Sequence, residues 1–100
     1  AYDETIRKYE GRYDVGYDAI RDKRTTRQKA LGIIPKEAQV YTGHPLWPKW
    51  STLTAAQKQT ESKRMAVYAA MVDDMDYYIG EVVSYLKKTG QYDNTLILFM

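Results

Sequence analysis

One hundred residues with a formal net charge of +2 allow a single domain, and that balance is too weak to imply a nucleic-acid partner. Cys is absent, which excludes a disulfide framework, a thiol nucleophile and a Cys-based metal site. No apolar run approaches the roughly 20 residues needed to span a bilayer, and the start, AYDETIRKYE, is too polar for a signal peptide.

The first segment, 1–32, reads as peripheral and helical. Asp3 to Glu10 suit a short helix, and Gly11 and Gly16 punctuate the stretch that follows. A second helix is predicted from about Tyr17 to Leu31. Gly32 sits at its C′ position and Pro35 soon after, a common stop arrangement. Asp18 in its first turn and Arg27 and Lys29 near its end suit the helix dipole. Its apolar content is thin, so it belongs on a surface.

Residues 33–53 read as a long loop holding three prolines and both tryptophans. Loops of this length are often functional or packed on something else. A long helix is predicted over 54–89. Thr54 and Gln57 match a capping box, and Gly90 is placed to end it. Met65, Tyr68, Val72, Met75, Ile79, Val82 and Leu86 recur at spacings of three and four, forming one apolar stripe. Residues 57–63, QKQTESK, carry no such stripe and are expected to be solvated or packed elsewhere.

After the turn Gln91-Tyr92-Asp93 comes an unbroken apolar run, and a strand is predicted over 94–100. A strand of this kind is buried on both faces of a parallel sheet, yet no other segment offers it a partner. Helix, short loop and buried strand are the second half of a βαβ unit. The expected fold is therefore mainly α with one C-terminal β-strand, a fragment of an α/β domain cut at both ends.

Two stretches carry a resemblance. YEGRYDVGYDAIRDKRTTRQKALGIIP, residues 9–35, resembles the segment of bacterial arylsulfatases that follows a histidine-containing loop. Tyr9, Gly11, Tyr13, Asp14, Gly16, Asp18, Arg21, Arg24, Arg27, Lys29, Leu31, Gly32 and Ile33 carry the match, with Tyr17 where the family commonly has Trp. Residues 65–100 are similar too, through Met65, Tyr68, Met71, Asp76, Ile79, Gly80, Leu86, Gly90, Asn94, Thr95 and Phe99. The second pattern also occurs across the wider alkaline-phosphatase-like superfamily; the first narrows it to arylsulfatase-type sulfatases.

The resemblance implies a parent that hydrolyses sulfate esters with calcium and a formylglycine residue. In the family, the strand ending near Met100 runs into a Ser-Asp-Asn/His-Gly stretch that binds the metal. The formylglycine arises from a Cys/Ser-x-Pro-x-Arg motif, and Ser51, Ser62 and Ser84 are not followed by that spacing. No catalytic or metal residue of the family can be carried onto this chain. Calcium and formylglycine are expected of the parent, and no cofactor of this chain. The expected partners are the remainder of the sulfatase domain and, for the isolated piece, a second copy, with no nucleic acid and no membrane.

Other residues invite a function and have a plainer reading. Asp73, Asp74 and Asp76 suggest a metal site, but residues on a helix turn by about 100° each, so a solvated acidic face is the simpler account, with Asp76 placed to bond a neighbouring loop. His44, the only histidine, is the one candidate for a substrate cleft; its plainer role is in an ordered surface loop. Arg21, Lys23, Arg24, Arg27 and Lys29 could meet phosphate or an acidic surface, against pairing with Asp14, Asp18 and Asp22. The ten tyrosines read as packing. The rival to the sulfatase reading is a stand-alone helical module that self-associates through the stripe.

Overall fold

The helices begin and end where local chemistry can satisfy their free backbone groups. The computed structural model describes residues 1–100. It contains helix α1 (Asp3–Tyr9), helix α2 (Tyr17–Ala30), helix α3 (Ala55–Lys88) and single 3-10 turns at Trp50–Thr52 and Tyr92–Asn94.

At the start of α3 the Gln57 N–H donates to Thr54 Oγ1 at 3.3 Å, and the Thr54 N–H donates to Gln57 Oε1 at 2.9 Å. This reciprocal pair quiets two of the donors a helix start leaves free. Both long helices end in a Schellman arrangement. In α2, Ile33 N–H reaches Gln28 O (3.0 Å) and Gly32 N–H reaches Lys29 O (3.2 Å). In α3, Gln91 N–H reaches Leu86 O (2.9 Å) and Gly90 N–H reaches Lys87 O (3.2 Å).

Helix α1 lies across the middle of α3, and carboxylates hold it there. Asp74 accepts from Thr5 Oγ1 at 2.7 Å and from the Tyr2 N–H at 3.0 Å. Lys8 Nζ meets Asp73 at 2.5 Å. Tyr2 and Tyr78 share a hydroxyl hydrogen bond of 2.7 Å. The hydrogen bond to Lys8 holds the Asp73 carboxyl below its ordinary value, and the same bond raises Lys8. Thus Asp73 and Asp74 do not belong to the solvated acidic face expected from the sequence, and of the three only Asp76 is left exposed. The sequence reading missed this because the partners lie 65 to 72 residues away.

The buried positions of α3 are Ser62, Ala66 and Ala70, one row at a spacing of four. Ser62 Oγ donates to Asp14, in the turn before α2. Residues 57–63 are therefore only partly solvated. The apolar stripe faces the other way: Tyr68 and Val82 are 61% exposed and Met75 is 44% exposed.

The C-terminal strand is not formed. Thr95 has extended dihedrals (φ −119°, ψ 124°), but no backbone hydrogen bond reaches residues 96–100. A strand exists only through a partner, and the chain offers no second extended segment beside it. The protein is mainly helical.

These unpaired surfaces show in the dimensions. The radius of gyration is 18.2 Å, against about 13 Å for a compact domain of this length. The accessible surface is 8672 Å², against about 5,800 Å² for a compact monomer of 11.6 kDa. The only buried hydrophobic residues are Ala66 and Ala70. No helix is long and apolar enough to cross a membrane.

Candidate functional site

The most elaborate local geometry is where the end of the 33–53 segment returns to the start of α2. Gly16 is the N-cap of α2, with φ 89° and ψ 161°, and is buried. That φ suits glycine, and a Cβ at this position would lie 2.3 Å from the Trp50 indole. The ring therefore rests directly on the backbone. Tyr17 meets it edge to face, with centroids 5.3 Å apart and planes at 82°.

Polar groups complete the clasp. Asp18 accepts the Trp50 N–H at 2.8 Å with one carboxylate oxygen and pairs with Arg21 through the other. The Tyr17 hydroxyl donates to the Pro48 carbonyl. Burial, then the nearby Asp18 carboxylate, pushes the Tyr17 phenol above its ordinary value. Arg21 also lies against the loop backbone, since a Cβ at Gly43 would be 3.2 Å from its Nη1. With Asp14 bonded to Ser62, the start of α2 joins the loop to α3.

His44 stands on the outer side of this loop and is exposed. Its carbonyl accepts the Trp47 N–H at 2.9 Å, closing a turn through Pro45 and Leu46. Its Nδ1 accepts the Leu46 N–H at 3.2 Å. The imidazole lies 5.8 Å from the Trp47 ring. Trp47 is 70% exposed and Leu46 84%. The clasp thus presents one turn, His44 to Trp47, to the outside.

No group of three or more His, Cys, Asp or Glu side chains comes together. The adjacent carboxylates of α3, Asp73 and Asp74, are occupied by Lys8, Thr5 and the Tyr2 backbone. The residues present do not fit a calcium site, and the chemistry assembled here is the positioning of a loop.

The sulfatase family model matches residues 2–100. The chain belongs to the sulfatase family. It is 43% identical over 98 residues to an uncharacterized sulfatase of Schizosaccharomyces pombe, covering 97% of this chain and 18% of that protein. It is 40% identical over 100 residues to an arylsulfatase of Klebsiella aerogenes, covering 100% of this chain and 21% of that protein. The chain spans about a fifth of the length of these relatives.

The clasp itself was missed in the sequence. Its signal was present: a glycine just before an aromatic residue at a helix start, and a tryptophan close behind two prolines at the end of a long loop. Nothing in the pattern says that the two meet.

Proposed function

We propose that this chain is a non-catalytic portion of a sulfate ester hydrolase of the arylsulfatase type. The observation that carries the reading is the match over residues 2–100 with relatives several times longer, joined to an architecture whose most apolar surfaces lack partners. In this reading α3 lays its stripe on the parent's sheet, residues 94–100 add a strand to that sheet, and α2 with the 33–53 loop lies outside. Calcium and formylglycine belong to the remainder of the domain, where they supply charge stabilisation and the nucleophile for attack on sulfur.

His44 is the residue of this chain assigned to the parent's substrate cleft. Support comes from its place beside Trp47 on a turn that the clasp holds out from α2, with Nε2 free of any protein partner. The rival reading, self-association of the chain as a helical module, draws on the same exposed stripe. It gives no role to the strand-like run 96–100.

Reading the coding DNA on either side of the segment tests the proposal. A Cys/Ser-x-Pro-x-Arg codon run upstream and a Ser-Asp-Asn/His-Gly run after Met100 support it. A start codon directly before Ala1 and a stop after Met100 contradict it and favour self-association, which sedimentation then checks.

A further inference from the structure

The stretch 43–50 is held at both ends by one carboxylate. Asp18 takes the Trp50 N–H at 2.8 Å with one oxygen and the Arg21 guanidinium with the other. Arg21 in turn meets Gly43. The three atoms nearest to a Cβ at that glycine all belong to the guanidinium, with Nη1 at 3.2 Å, Nη2 at 3.7 Å and Cζ at 3.8 Å. Of the five cations between residues 21 and 29, Arg21 alone has an ion pair.

Gly43 is where such a brace is needed. From His44 onward the turn is stiff in itself. Pro45 fixes its own φ and confines His44 to extended backbone. The Trp47 N–H closes on the His44 carbonyl, and the Leu46 N–H closes on His44 Nδ1. Gly43, at φ 103°, is the freely turning joint at its entry. The brace has a cost. Arg21 Nε is buried without an acceptor, and an orphaned donor lowers stability. Packing alone would favour an apolar side chain at this position.

The same turn fixes what His44 offers. With Nδ1 accepting from Leu46, the neutral imidazole carries its proton on Nε2. His44 therefore presents a hydrogen-bond donor to the outside, beside the exposed Trp47 ring.

We infer that Arg21 is a positioning residue for His44. Anchored by Asp18, it sets the Gly43 joint and so the direction of the Nε2–H donor toward an acceptor atom of the bound substrate. The role in substrate binding rests on the assignment of His44 to the parent's cleft; the brace rests on the contacts alone.

Two measurements test this. The first uses the hundred-residue chain. Arg21→Met removes the guanidinium and keeps an apolar stem. Nitrogen relaxation should show the backbone order parameters of Gly43 and His44 falling from about 0.85 to below about 0.6, with residues 22–30 still ordered. Arg21→Lys keeps the charge beside Asp18 but not the flat face, and the joint should be as loose. Unchanged order at Gly43 and His44 in either variant overturns the proposal. So does loss of order throughout α2, which would make Arg21 a general support of the helix.

The second is a double-mutant cycle in the Klebsiella aerogenes arylsulfatase, with these hundred residues in place of its matching segment and 4-nitrophenyl sulfate as substrate. His44→Ala and Arg21→Met should each lower kcat/KM roughly tenfold. The double variant should be no slower than His44→Ala alone, because Arg21 acts through His44. Additive losses, or a loss for His44→Ala with none for Arg21→Met, overturn the positioning role and leave the cleft assignment standing. If His44→Ala costs nothing, the cleft assignment itself has failed and the positioning role falls with it.

Discussion

Gly16 lies so close beneath the Trp50 indole that a Cβ there would come 2.3 Å from the ring. The contact joins residues far apart in sequence and sets where the 33–53 loop ends. Gly16→Ala is expected to open the clasp. The strained φ costs about 1 to 3 kcal/mol, and the ring must also move. In a Trp47→Phe background, Trp50 emission should shift to the red and residues 33–49 should be cut faster by protease. Unchanged emission and cleavage would show that the contact is not needed.

Asp74 holds α1 through Thr5 and the Tyr2 backbone. Asp74→Ala leaves both donors without their acceptor and should weaken α1 docking by about 1 to 3 kcal/mol. Amide exchange in α1 should accelerate while the C-terminal half of α3 stays protected. Equal acceleration in both would mean that α1 and α3 open as one unit.

The Lys8–Asp73 pair makes the same docking depend on pH. Asp73 is held below its ordinary value of 3.8 by the hydrogen bond from Lys8. Its contribution is therefore present above that value and lost as pH falls through the lower folded-state one. Lys8 is raised above its ordinary value of 10.5 by the same bond. Its contribution is present below that value and lost as pH rises through the higher folded-state one. Docking of α1 should show a plateau at intermediate pH with losses at both extremes, and Lys8→Met should flatten the profile. Amide exchange of α1 across pH, corrected for intrinsic rates, reads it.

Thr54 caps α3 by accepting the Gln57 N–H. Thr54→Ala should cost about 1 kcal/mol and fray the first turns of α3, visible as faster exchange there. The effect should stay local, because Ser62 is pinned to Asp14 two turns further on.

The helix ends were legible because caps are local. Thr54, Gln57, Gly32 and Gly90 act within a few residues of themselves. The stripe from Met65 to Leu86 was legible as a face that wants cover, but periodicity names no partner, and here the row that is covered is Ser62, Ala66 and Ala70. The strand at 94–100 followed from an apolar run, and it does not form because pairing is a property of two segments. The clasp and the α1 contacts were illegible because they depend on meetings across 32 to 72 residues. His44 was singled out for being the only histidine; its turn with Trp47 needed the backbone to be seen.

The most direct test of the central claim is a graft. The matching segment of the Klebsiella aerogenes arylsulfatase is replaced by these hundred residues, and hydrolysis of 4-nitrophenyl sulfate is measured. A non-catalytic portion of the same domain should fold there and support turnover. A folded, formylglycine-bearing graft without turnover would contradict the account.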